Sequence, residues 1–176
     1  MKKILIFIII MVLSCASNMT KSTDLLSDVP RYLGVAVFDG SYPYNKQASS
    51  QFAHGLMSLG YQVIERINMP SIVDELKFHG SGAVGFDSMT EIGSMYGIDA
   101  LFVGNIQTVI TNHYVDTFLH IRLVEIKTGR TIWSVSAKEP RYFTLTYDMG
   151  TSVYHTTNQA LKHFKQDIRR LDDREN

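Results

Sequence analysis

The stretch Asp99-Ala-Leu-Phe-Val-Gly-Asn-Ile-Gln107, with Val115-Asp-Thr-Phe-Leu-His-Ile-Arg-Leu-Val-Glu-Ile126, Lys127-Thr-Gly129 and Arg130-Thr-Ile-Trp-Ser-Val135 after it, decides how the chain folds. β-Branched and aromatic residues dominate its three apolar runs, as strands require. Lys127-Thr128-Gly129 puts a glycine where a short hairpin loop commonly needs positive φ. The segment therefore reads as consecutive antiparallel strands, a sheet against which the rest of the chain must pack.

Upstream, Leu33-Gly-Val-Ala-Val-Phe-Asp39 is a short apolar run of the kind that makes a buried strand, and Gly40 to Asn45 is a Pro- and Tyr-containing loop. Ala48, Phe52, Leu56 and Leu59 line one face of a helix that Gly60 ends, and Tyr61-Gln-Val-Ile-Glu-Arg66 is a second strand. Pro70 opens a helix through Ile72, Val73 and Leu76, with Gly80 past its end. Ser88-Met-Thr-Glu91 has the spacing of a capping box, and Met89, Ile92, Met95 and Tyr96 form the apolar face of the helix it starts. Gly97 closes that helix. Beyond Pro140, a terminal helix over Thr151 to Leu171 sets Val153, Ala160, Leu161, Phe164, Ile168 and Leu171 on one side and Lys162, Lys165, Arg169 and Arg170 on the other. Trp133 and Phe118 are expected in the core. The fold class is α/β: a three-layer, sandwich-like domain on a mixed sheet, opening β-α-β and closing with an antiparallel meander and a terminal helix.

At the N-terminus, Lys2 and Lys3 precede the unbroken apolar run Ile4 to Leu13, which fits a signal-peptide core and is too short to span a bilayer. Val12-Leu13-Ser14-Cys15 then leads into the single cysteine of the chain, and it resembles the lipobox of bacterial lipoproteins. That resemblance makes Cys15 the lipid attachment site, and the lack of Asp at Ala16 points to the outer membrane of a Gram-negative source, facing the periplasm. A lone cysteine in an exported chain has no disulfide partner within it, so an anchor explains it better than a structural role. Residues 1–14 are then a signal peptide and 15–30 a lipidated cysteine with a flexible tether. Residues 31–171 form the domain, and 172–176 a frayed tail.

The chain has 176 residues, 45% of them hydrophobic, with 17 basic and 17 acidic side chains, as suits one globular domain. Such a balance argues against a protein whose main job is gripping nucleic acid or an anionic membrane surface, since either would want a basic patch. Gly80, Gly82 and Gly85 spell G-x-G-x-x-G, but they follow a helical run where a dinucleotide site needs a strand, so a connecting loop is the better reading. The six histidines, 54, 79, 113, 120, 155 and 163, lack zincin spacing. His113, Asp116 and His120 are close in sequence, yet 113 points to the opposite strand face from 116 and 120. No G-x-S-x-G or Walker sequence is present. No catalytic residue, cofactor or metal site is assigned, and the chain is not read as an enzyme.

Four segments resemble the family of the curli-assembly lipoprotein CsgG across roughly Leu33 to Ala137. They are Leu33-Gly-Val-Ala-Val-Phe, Tyr61-Gln-Val-Ile-Glu-Arg66, Tyr96-Gly-Ile-Asp-Ala-Leu-Phe-Val-Gly104, and Ile121-Arg-Leu-Val-Glu-Ile-Lys-Thr-Gly-Arg-Thr-Ile-Trp-Ser134. The resemblance implies a periplasmic domain of anticodon-binding-like topology, more distantly similar to LpoB, the outer-membrane activator of a peptidoglycan synthase. The curli channel adds two membrane hairpins, each strand of which needs ~9–11 alternating residues. Here Asn105 to Tyr114 and Ser136 to Asp148 are read as short joins without room for them. The expected function is that of a membrane-anchored, non-enzymatic assembly, secretion or regulatory factor of the envelope. Its partners are the membrane, through the anchor, and envelope proteins, with a homo-oligomer as a further possibility. The alternatives are an oligomeric, pore-forming secretion subunit of curli type and a small-ligand or nucleotide binder using the Gly80 to Gly85 loop.

Overall fold

A computed structural model describes residues 21–22, 30–65, 93–94, 96–111, 114–138 and 148–175. The signal peptide, Cys15, the helix from Pro70, the Gly80 to Gly85 loop, the capping box at Ser88 and residues 139–147 lie outside them. Along the chain come β1 (Lys21–Ser22), β2 (Tyr32–Val35), β3 (Asp39–Gly40), α1 (Tyr44–Ser58) and β4 (Gln62–Glu65), then β5 (Ala100–Thr111), β6 (Tyr114–Glu125), β7 (Thr131–Lys138) and α2 (Met149–Glu175).

The strands form one mixed, open sheet in the order β1-β7-β6-β5-β2-β4, with β3 pairing β5. β2 lies parallel to both β4 and β5, so β2, α1 and β4 make the expected opening β-α-β unit. β5, β6 and β7 are the antiparallel meander. Gly129 turns the β6–β7 corner at φ 65°, a conformation costly for a residue with a Cβ. Two differences from the sequence reading follow from pairing across the sheet. Lys21 and Ser22, inside the expected tether, lie antiparallel against Val135 and Ser134 of β7. Asn105 to Tyr114, expected as a join, is mostly strand, because the register runs unbroken from Ala100↔Glu125 to Thr111↔Tyr114.

Alternation along the strands sends Phe102 and Ile106, Leu119, Ile121 and Leu123, and Trp133, Val135 and Ala137 to one face. Both helices cover that face: Phe52 and Leu56 come from α1, and Val153, Ala160 and Phe164 from α2. Phe102 stands at the centre of an edge-to-face cluster, its ring 5.0 Å from Phe52, 5.2 Å from Phe164 and 6.1 Å from Trp133. The opposite face carries a smaller cluster of Ala36, Ile98, Leu101, Val124 and Ile126. Against it rests a helix end at residues 93–94 and 96, where the Gly97 N–H donates to the Gly93 carbonyl at 2.8 Å. Among the described residues, the two long helices thus cover one face of the sheet and this helix end meets the other.

Phe118 departs from expectation. It alternates away from Leu119 and stands 39% exposed on the side opposite the main core. Hydrophobicity alone placed it inside, whereas strand parity places it outside.

α2 starts earlier and ends later than its apolar stripe suggests. Asp148 caps it, accepting the Thr151 N–H at 2.6 Å through Oδ1, and the helix continues through the expected tail to Glu175. The helices lie side by side and parallel: the Gln47 side chain donates to the Gly150 carbonyl, and that of Gln51 to the Tyr154 carbonyl and the Asn158 side chain. At ~1.5 Å per residue, α2 outreaches α1 by well over 10 Å. This overhanging half is fixed by Trp133, whose Nε1–H donates to Asp167 Oδ2 at 3.0 Å. That bond explains a carboxylate only 4% exposed on the apolar side of the helix.

Candidate interaction surface

β5 and β6 outrun their neighbours. β3 meets β5 only as far as Ile106, and β7 meets β6 only as far as Phe118. Gln107–Thr111 and Tyr114–Thr117 therefore have only each other as strand partners among the described residues. About five residues at ~3.4 Å each make a spur of roughly 17 Å. Near its tip Val109 and Ile110 are 47% and 64% exposed. Two adjacent β-branched side chains left in water on a paired hairpin make this end a candidate contact element. The spur is shorter than the ~9–11 residues of a transmembrane strand.

Below the spur, the outer face of the sheet is polar with one aromatic. Lys138 Nζ stands 4.5 Å from the centre of the Phe118 ring, a cation–π contact. His120 Nδ1 pairs with Ser136 Oγ at 2.9 Å. Partial burial, then the nearby Arg122 guanidinium, holds His120 below the usual imidazole range, with a backbone hydrogen bond at Val135 opposing them. The neutral imidazole is thus the favoured form in the fold.

Of the positions weighed from the sequence, Cys15, His79, His113 and the glycines 80, 82 and 85 fall outside the described residues. Asp116 and His120 share a strand face on β6, as strand parity predicts, with Asp116 buried and His120 exposed. His54 lies exposed on α1, 3.5 Å from Glu65. No three His, Cys, Asp or Glu side chains converge among the described residues. None of the described helices is long and apolar enough to cross a membrane, which leaves strands aside. The spur, the Asp148 cap and the β1 edge were all missed in the sequence. The β-branched run Thr108-Val-Ile-Thr111 was the signal that could have revealed the spur.

No family model and no curated protein matches the sequence. Solved structures do. A subunit of the PelC dodecamer from Paraburkholderia phytofirmans superimposes with a TM-score of 0.60 at 10% identity, over 83% of this chain and 95% of that one. Lipoprotein GNA1162 from Neisseria meningitidis gives 0.48 at 18%, over 78% and 99%. The C-terminal domain of LpoB from Salmonella enterica gives 0.44 at 15%, over 62% and 82%. At such identities the likeness to PelC establishes a shared fold.

Proposed function

We propose that this chain is an exported lipoprotein of the bacterial envelope, anchored through Cys15 in the outer membrane, that acts through protein contacts and without catalysis as an assembly, secretion or regulatory factor. The observation that carries the reading is the paired spur with Val109 and Ile110 exposed near its tip. A paired projection with apolar side chains near its tip is suited to docking. The export signal and lipobox pattern support the anchor, and the resemblance of four segments to the CsgG family supports a role in envelope assembly. The PelC subunit of the same fold assembles as a dodecamer, which supports copies of this chain as partners of one another.

A photo-crosslinking residue at Ile110 in the native envelope tests the contact. Adducts with a protein, whether a second copy or another envelope component, are expected there and not from the exposed α1 position Ser50. Equal yields at the two positions would sink the proposal. Cys15→Ala is expected to leave the membrane fraction, and its retention there would overturn the anchor.

A further inference from the structure

The balanced charge of the whole chain conceals a one-sided helical layer. From Tyr44 to Ser58 and from Met149 to Leu171, the exposed permanently charged side chains are Lys46, Lys162, Lys165, Arg169 and Arg170, every one a cation. The single carboxylate in those spans, Asp167, is buried under Trp133, and Arg170 pairs with it at 3.6 Å. Beyond Leu171 the described part of α2 carries an exposed carboxylate at Asp173, one turn past Arg169. Lys162, Lys165 and Arg169 are spaced i, i+3, i+7, so they form an outward stripe about 10 Å long. Ala160, Phe164 and Asp167 turn the other way, into the sheet.

The position of β1 says which anionic surface this stripe meets. Lys21 and Ser22 lie along β7 at Val135 and Ser134, next to Trp133, and Trp133 is where the same half of α2 is fastened to the sheet. Lys21 is six residues from Cys15. At ~3.3–3.6 Å per extended residue, an acylated Cys15 holds the β1 edge within about 20 Å of the membrane. A tether of this length keeps the domain at the membrane, so that with the stripe facing the headgroups each Lys or Arg comes within the Debye length over which an anionic surface attracts it.

We infer that the outward stripe Lys162, Lys165 and Arg169, with Arg170 beside it, rests on the anionic phospholipid headgroups of the membrane that holds Cys15, which orients the domain with its helical layer down. The inference rests on the reading of Cys15 as acylated. Tether and stripe act together: the anchor supplies effective concentration, and the charges supply orientation.

The test uses the full acylated chain with a nitroxide on Gln166→Cys, an exposed position beside the stripe, in vesicles of phosphatidylcholine alone or mixed with phosphatidylglycerol. At low ionic strength the label is expected to lose collisions with a water-soluble nickel chelate only on the mixed vesicles. Salt at about 0.5 M restores them. The K162Q/K165Q/R169Q variant, melting as the parent does, restores them without salt. Equal accessibility on both vesicles overturns the inference, as does a loss that survives the triple variant. A loss seen only in native envelope membranes also overturns it, and assigns the stripe to an acidic protein or polymer. Flotation on phosphatidylcholine alone reads the anchor separately. Should the chain fail to float there, its partition onto phosphatidylglycerol vesicles decides the stripe: each neutralised cation should weaken it about fivefold, and no change would refute it.

Discussion

At the scale of single residues, two titrating groups draw stability away on the acid side, in two different pH windows. The Thr151 backbone N–H holds the Asp148 carboxyl below the usual aspartate range, helped by the Thr151 side chain and the Gly150 backbone, with slight desolvation opposing. A depressed carboxyl stabilises the fold above its unfolded pKa, and the contribution is lost as pH falls through the folded value. Asp148→Ala should therefore lower the melting temperature at neutral pH, with the gap to the parent closing as both are melted toward pH ~3. Asp148→Asn, which keeps an acceptor, should lose less. For His120 the lowered pKa means that the unfolded chain binds the proton more readily. Stability is then full above pH ~6.5 and is lost as pH falls below it. His120→Gln should flatten the melting temperature between pH 5 and 6.5, read by calorimetry. The two phenylalanines of contrasting face give a third comparison. Phe164→Ala empties a site walled by Phe102, Trp133 and Tyr61 and should cost ~3–5 kcal/mol in denaturant titrations. Phe118→Ala removes a ring that already faces water on one side and should cost less than ~1 kcal/mol.

At the scale of elements, the joint between α2 and β7 decides where the basic half of the helix sits. Asp167→Leu deprives the buried Trp133 N–H of its acceptor, which should cost ~1–3 kcal/mol and raise hydrogen exchange in the overhanging turns beyond Leu161 ahead of the rest of α2. The spur behaves differently. Ile110→Ser touches only water-facing surface and should leave the melting temperature within ~0.5 kcal/mol of the parent in stability terms. Loss of cross-linked partner with that stability retained would mark the spur as a docking element. The β3 step is a third fixed point: Gly40 has φ 109°, and a Cβ there would overlap the Ile106 carbonyl oxygen. Gly40→Ala must push β3 away from β5 and should destabilise the base of the spur.

At the scale of the molecule, the proposed anchor and basic stripe together would give the domain a defined orientation, which a tether alone would not. The strands β2 and β4 to β7, the glycine corner at 129 and the amphipathic run of α2 were legible in the sequence, because each is set by local alternation, propensity or a turn residue. β1 was not, since a two-residue strand has no period of its own and exists by pairing with β7. The spur was missed because Thr108 to Thr111 is extended into strand by its pairing with Tyr114–Thr117. The sequence by itself determined an apolar N-terminal run ahead of a single cysteine, an antiparallel meander and a helix carrying cations along one side. Only the tertiary structure decided which faces of that meander are dry, that a carboxylate is hidden beneath Trp133, and that β1 pairs with the strand to which the basic half of α2 is fastened. Proximity between residues far apart in the chain is a product of packing, and no local pattern encodes it.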